Sequence, residues 1–67
     1  MEQENLVSGL HNEIVRVREL LEVYESIPQG VFAATMLKIK IKRAEKALGL
    51  GEHIEMIRCL EQLRRCN

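Results

Sequence analysis

The sequence contains no tryptophan and no aspartate, and one tyrosine and one phenylalanine are its only aromatic residues. Since 46% of the 67 residues are apolar, the core must be built from aliphatic side chains. Four glycines and one proline are too few for a loop-rich or all-β domain, and the abundant Leu, Met, Ala, Glu, Lys and Arg favour helices. A domain this short buries only about 60% of the surface of its unfolded chain, so we expect marginal stability for a lone copy.

The sequence also lacks a long apolar run, and its two cysteines are not spaced for a disulfide within one helix. No apolar run approaches the roughly 18 residues of a membrane span, and the first residues are acidic, so we expect a cytoplasmic protein with no membrane partner. Cys59 and Cys66 lie about 10 Å apart if they share one helix, which is farther than a disulfide reaches. An intrachain disulfide is therefore excluded, and two reduced thiols are predicted, with a disulfide between two copies as the less favoured alternative.

Motifs for catalysis and metal binding are absent as well. The chain has no HExxH, CxxC, GxSxG or glycine-rich phosphate-binding motif. Its two histidines, His11 and His53, have no second ligand at a spacing typical of a metal site. We therefore expect a protein that is not an enzyme and that uses no metal and no cofactor.

Apolar residues recur with a heptad period through the first 26 residues, and the repeated positions are Val7, Leu10, Ile14, Val17, Leu21 and Tyr24. Pro28 and Gly30 predict a tight turn, and Gly49 fits the left-handed position after a second helix, with Leu50 folding back onto it. The sequence thus predicts an all-α fold. It is a short antiparallel three-helix bundle in a single domain, 1–67, with a long first helix and helices at about 2–26, 31–48 and 52–65.

The first and second predicted helices have apolar residues beyond those that the core of the bundle needs. The second helix buries Ala34, Leu37, Ile41, Ala44 and Leu48, and we expect the third to turn Met56, Ile57, Leu60 and Leu63 inward. Phe32, Met36 and Ile39 form another strip, about 145° around the second helix. We also expect Leu6 and Leu10 to overhang the shorter helices. These five residues are the predicted interaction surface of a homo-oligomer.

Charge is segregated along a chain that is neutral overall. Residues 1–27 hold six acids and two bases, a net −4, whereas residues 28–48 hold five bases and one acid, a net +4. Lys38, Lys42 and Lys46 recur every four residues and form a stripe that either binds an anion or pairs with the acidic first helix. A neutral chain with almost no aromatic residues is not typical of nucleic-acid binding, so we expect none.

The turn before the second helix is a second candidate for anion binding. The first backbone N–H groups of a helix are unpaired and attract phosphate, and here they follow Gly30. Thr35 lies one helical turn into the second helix. Tyr24 lies about one helical turn before the Pro28–Gly30 connection and offers a ring for stacking a base. A plain hairpin connection explains the same residues without any ligand.

Residues 27–47 resemble part of a known family. Ile27-Pro28-Gln29-Gly30, Ala34-Thr35-Met36-Leu37 and Ala44-Glu45-Lys46-Ala47 are similar to the helical hairpin of bacteriophage-encoded sponges, which sequester cyclic nucleotide signals of bacterial defence. The run from the turn to the Ala-Thr pair is shorter here, and the aromatic residues expected on the second helix are missing. The resemblance implies a phage protein that forms a hexamer or another oligomer and binds its ligand between protomers. Its expected contacts are Tyr24, Gly30, Thr35 and Lys38.

Two functions follow as hypotheses. The first is a helical oligomer without enzymatic activity that engages or inhibits another protein through its exposed apolar strip. The second is a sponge that binds a small anionic ligand, a linear or cyclic nucleotide, at Tyr24, Gly30, Thr35, Lys38 and Lys42.

Overall fold

Three α-helices that all contact one another make up the computed structural model, which describes the backbone of residues 2–66 and the side chains of residues 5–66. Helix α1 spans Glu2–Glu25, a 3-10 turn spans Pro28–Gly30, α2 spans Val31–Leu50 and α3 spans His53–Arg64. The arrangement is elongated, measuring 41 × 17 × 16 Å. The predicted all-α three-helix fold is confirmed. Within the described residues, no helix combines the length and the apolar character that a membrane crossing requires.

The turn between α1 and α2 follows from Pro28 and Gly30. Ile27 is extended, with φ −108° and ψ 124°, because a residue that precedes proline is excluded from the helical region. The N–H of Gly30 then donates to the carbonyl oxygen of Ile27 at 2.8 Å, which closes the 3-10 turn. Gly30 is buried against the backbone of Tyr24, so the chain reverses tightly and α2 returns along α1.

Helix α2 ends at a left-handed glycine, Gly51, whose φ is 68°. The N–H of Gly51 donates to the carbonyl oxygens of Ala47 and Leu48 at 2.9 and 3.3 Å, and the N–H of Glu52 donates to that of Ala47 at 3.3 Å. This is the hydrogen-bond pattern of a Schellman motif. The prediction that Gly49 ends the helix is therefore wrong by two residues. Leu50 does not fold back, since it belongs to α2 and is 61% exposed.

The two glycines at the end of α2 should respond in opposite directions to alanine. Gly51→Ala places a Cβ on a residue with positive φ and is expected to lower the free energy of unfolding by about 1 kcal/mol. Gly49→Ala removes the conformational freedom of a helical glycine with nothing within 4 Å of the new Cβ, and is expected to raise it by about 0.5–1 kcal/mol. Equilibrium urea unfolding measures both. Equal effects of the same sign would contradict this assignment of the helix end.

The core is a single aliphatic cluster between the three helices. Its buried members are Leu10, Ile14, Val17, Leu37, Ile41, Ala44, Ala47, Met56, Cys59, Leu63 and Cys66. Two residues predicted to face inward do not. Val7 lies at the edge of the inner face of α1 and is largely exposed, and Ile57 is exposed because α3 turns Cys59 inward instead.

The predicted overhang of the first helix is also wrong. Leu10 is 0% exposed and Leu6 packs against the core cluster. The physical reason is the position of α3. The guanidinium of Arg16 donates to the carbonyl oxygen of Leu63 at 2.7 Å, so the last turn of α3 lies beside the middle of α1. The earlier turns of α3 therefore cover the first half of α1.

Candidate functional site

The largest exposed apolar side chains of α2 lie along one line, opposite the core. Phe32, Met36 and Ile39 are 78%, 40% and 48% exposed, and Leu50 continues the line about five turns after Phe32. Two basic residues, Arg43 and Lys46, lie on the same line between Ile39 and Leu50. We call the whole line the α2 outer face, and its residues are Phe32, Met36, Ile39, Arg43, Lys46 and Leu50. At about 100° per residue around the helix axis, all six residues lie within about 40° of their common mean direction.

Exposed apolar residues elsewhere do not form a comparable line. Val15 and Val23 on α1 are exposed, but they are eight residues apart and therefore point about 80° away from each other. Ile54 and Ile57 on α3 are a single adjacent pair. The apolar half of the α2 outer face, from Phe32 to Ile39, therefore has no equivalent on α1 or α3 in the described part of the molecule.

The two halves of the α2 outer face differ in charge. The first half, from Phe32 to Ile39, is apolar, and the second half carries Arg43 and Lys46, with Lys42 beside them. All three cations are exposed, and they form no ion pair with any side chain that the structure describes. They share a groove of about 420 Å³ with Glu52 and Glu55, so three cations outnumber two acids there. The one acid of α2, Glu45, points to the other side, where it pairs with Arg18 of α1.

The lysine stripe predicted from the sequence is divided by this arrangement. Lys38 pairs with Glu25 of α1, at 3.1 Å between Nζ and Oε2. Lys42 and Lys46 have no such partner among the described side chains. One end of the stripe therefore joins α2 to the acidic helix α1, whereas the other end is exposed and forms no ion pair with the described side chains, although Glu52 and Glu55 line the same groove.

The residues predicted to bind an anion are not assembled into one site within the chain. The N–H of Gly30 is bonded to Ile27, Thr35 Oγ1 donates to the carbonyl oxygen of Val31 at 3.0 Å, and Tyr24 packs against the core. Thr35, Lys38 and Lys42 do line a groove of about 470 Å³ between α1 and α2. Three bases (Arg18, Lys38 and Lys42) and three acids (Glu22, Glu25 and Glu45) line that groove, giving it a formal net charge of zero.

Both cysteines are buried and free, as their spacing predicts. Cys66 Sγ lies 4.0 Å from Lys40 Nζ, and Cys59 Sγ lies 4.0 Å from Glu55 Oε2. Burial raises the pKa of the Cys59 thiol, the Glu55 carboxylate raises it further and the Arg43 guanidinium opposes both. Cys59 is therefore held as the thiol, which is less reactive than the thiolate. No group of three potential metal ligands occurs among the described residues.

Comparison of the chain with protein-family models, curated proteins and solved structures finds no match. Any function must therefore be argued from the residues themselves.

Sequence reasoning found half of the α2 outer face and missed the other half. The sequence predicts Phe32, Met36 and Ile39 on this surface, but it places Leu50 in a connection because the predicted second helix ends at Leu48. The signal for Leu50 is its distance of 18 residues from Phe32, which is a whole number of helical turns. Leu6 and Leu10, the other predicted surface residues, belong to the core side of α1.

Proposed function

We propose that this chain is a small helical protein-interaction module that docks onto another protein through the α2 outer face and acts by binding alone. The observation that carries the proposal is the exposure of Phe32. Of the two aromatic residues in the chain, Tyr24 packs against the core and Phe32 is 78% exposed. Burying a phenylalanine side chain is worth about 1.5–3 kcal/mol, and aromatic side chains are enriched at interfaces.

The neighbours of Phe32 support the same proposal. Met36 and Ile39 follow it at the spacing of one helix face, as do the anchor residues of helices that bind in grooves. Methionine adapts its shape to irregular surfaces, which suits a contact with a different protein. An engaged or inhibited partner would bury this strip and leave the core unchanged.

A displayed library of helical peptides tests the proposal. We expect peptides to be enriched on the natural chain and lost when Phe32→Glu is introduced, because the carboxylate would be buried at the docked interface without a partner. Val23→Glu is the matched control, since Val23 is an exposed apolar residue outside the α2 outer face. Binding of the enriched peptides to each variant is measured by fluorescence anisotropy. Enrichment that survives Phe32→Glu, or no enrichment at all, would contradict the proposal.

The other functional expectations stay predictions. Sedimentation over a range of concentrations tests the homo-oligomer, and thermal shifts with linear and cyclic nucleotides test the sponge hypothesis. No observation in the structure favours the sponge over the interaction module, because Lys38 is paired and the groove is electrically balanced.

A further inference from the structure

We infer that the segment that docks on the α2 outer face is an acidic amphipathic helix whose apolar residues and carboxylates lie in different halves. The inference rests on the proposed function and adds the chemistry of the partner. It follows from three features of the surface: its length, its division into an apolar and a cationic half, and the excess of cations, which form no ion pair with the described side chains and outnumber the two acids of their groove by one.

The first feature determines the shape of the occupant. The α2 outer face is a straight line of residues that runs from Phe32 to Leu50, about 27 Å along one helix. The spacings between its six members are 4, 3, 4, 3 and 4 residues. A second helix packs its own ridge of residues beside such a line over its whole length, at an interaxial distance of about 8–10 Å. An occupant of about five turns would cover both halves.

The second and third features determine the charge of the occupant. Apolar side chains are required opposite Phe32, Met36 and Ile39, and carboxylates opposite Arg43 and Lys46, with Lys42 at the edge. Because these cations have no ion pair with the described side chains, docking an acidic segment need not break an existing bridge. Opposite charges also speed the encounter and select against basic segments.

A second copy of the chain matches the whole length of this face less well than an acidic helix does. In a two-fold symmetric dimer the same patch meets itself. If the two α2 helices were antiparallel, the apolar half of each would lie on the cationic half of the other. If they were parallel, Arg43 and Lys46 of one copy would face the same residues of the second copy. Both arrangements leave positive charge without compensation, whereas an acidic segment compensates it along the whole face.

Two synthetic peptides provide the test. Both peptides form helices of about five turns, and in both one half carries leucines along one face. The other half carries glutamates in the first peptide and glutamines in the second, and this is their only difference. We expect the glutamate peptide to bind about fivefold more tightly, since exposed ion pairs are individually weak and three cations are available to form them. The difference should shrink when salt rises from about 0.1 M to about 1 M, because the screening length falls from about 10 Å to about 3 Å.

Charge reversal on the protein is the complementary experiment. Arg43→Glu with Lys46→Glu should remove the preference for the glutamate peptide. Arg64→Glu with Arg65→Glu changes the net charge equally, in exposed residues at the end of α3, and should retain the preference. Circular dichroism and thermal unfolding establish that each double variant is folded. A folded Arg43/Lys46 variant that retains the preference would overturn the inference.

Each remaining outcome has one meaning. If both peptides bind equally and Phe32→Glu abolishes both, the acidic partner is wrong and the proposed function stands. If neither peptide binds and the library yields nothing, the proposed function itself fails. A dimer that Phe32→Glu dissociates identifies a second copy as the occupant and overturns the inference. Tight binding of a DNA duplex that is insensitive to Phe32→Glu would overturn it in favour of a polyanion.

Discussion

Replacing Leu10 by alanine is expected to lower the free energy of unfolding by about 3–5 kcal/mol. Leu10 has no exposed surface and lies in the cluster that joins all three helices. Deleting its terminal carbons removes their burial and leaves a cavity, and both effects destabilise the fold. A domain of this length has a total stability of only about 3–10 kcal/mol, so the variant should be partly unfolded even without denaturant. Equilibrium urea unfolding followed by circular dichroism measures the loss.

Leu50→Ala is the matched control, because it deletes the same atoms from a side chain that is 61% exposed. We expect a change of less than about 0.5 kcal/mol in the free energy of unfolding. The comparison also distinguishes the two assignments of Leu10. If Leu10→Ala left the stability unchanged and weakened association instead, Leu10 would belong to an interface, as the sequence first indicated.

The fold could be predicted because helix periodicity is strong in this chain. The heptad pattern located the buried side of α1 at Leu10, Ile14 and Val17, and Pro28 located the first turn. The end of α2 could not be predicted in the same way. Gly49 and Gly51 both satisfy the local rule for a helix-ending glycine. In the structure the capping hydrogen bonds to the carbonyl oxygens of Ala47 and Leu48 come from Gly51 and Glu52, so Gly49 stays inside the helix.

The predicted inner face of α3 is right at Met56 and Leu63 and wrong at Ile57. The sequence pattern places Ile57 inside, but the buried residues are Met56, Cys59, Leu63 and Cys66. Those residues have helical spacings of 3, 4 and 3. Counting cysteine as a small apolar residue, which is how it behaves when buried, would have revealed this seam.

The candidate site was predicted in its apolar half only. The sequence showed that Phe32, Met36 and Ile39 lie away from the core, which the helical period alone determines. It could not show which cations are paired. That depends on the register of α1 against α2, which brings Glu25 to Lys38 and leaves Lys46 without an ion pair among the described residues.

The second large effect is expected at the turn, where Gly30→Ala should lower the free energy of unfolding by about 3 kcal/mol. A Cβ at this position would overlap the carbonyl oxygen of Tyr24 and would lie 3.0 Å from its carbonyl carbon. These atoms are backbone, at the end of α1, and no side-chain rotation relieves the overlap. Either the turn opens or the last turn of α1 unwinds, and both reduce the packing of α1 on α2. Thermal and urea unfolding of the variant measure the effect.

Gly9→Ala is the control, since Gly9 lies within α1 and nothing lies within 4 Å of the added Cβ. Alanine there should raise the free energy of unfolding by about 0.5–1 kcal/mol, because glycine is the less favourable helical residue. If any glycine-to-alanine change lowered the free energy of unfolding, both variants would be destabilised. If the close approach of Gly30 to the backbone of Tyr24 is the cause, only Gly30→Ala is destabilised. If Gly30→Ala proved as stable as the natural chain, the tight reversal that sets α2 against α1 would be wrong. The register that leaves Arg43 and Lys46 exposed on the α2 outer face would then have to be redrawn.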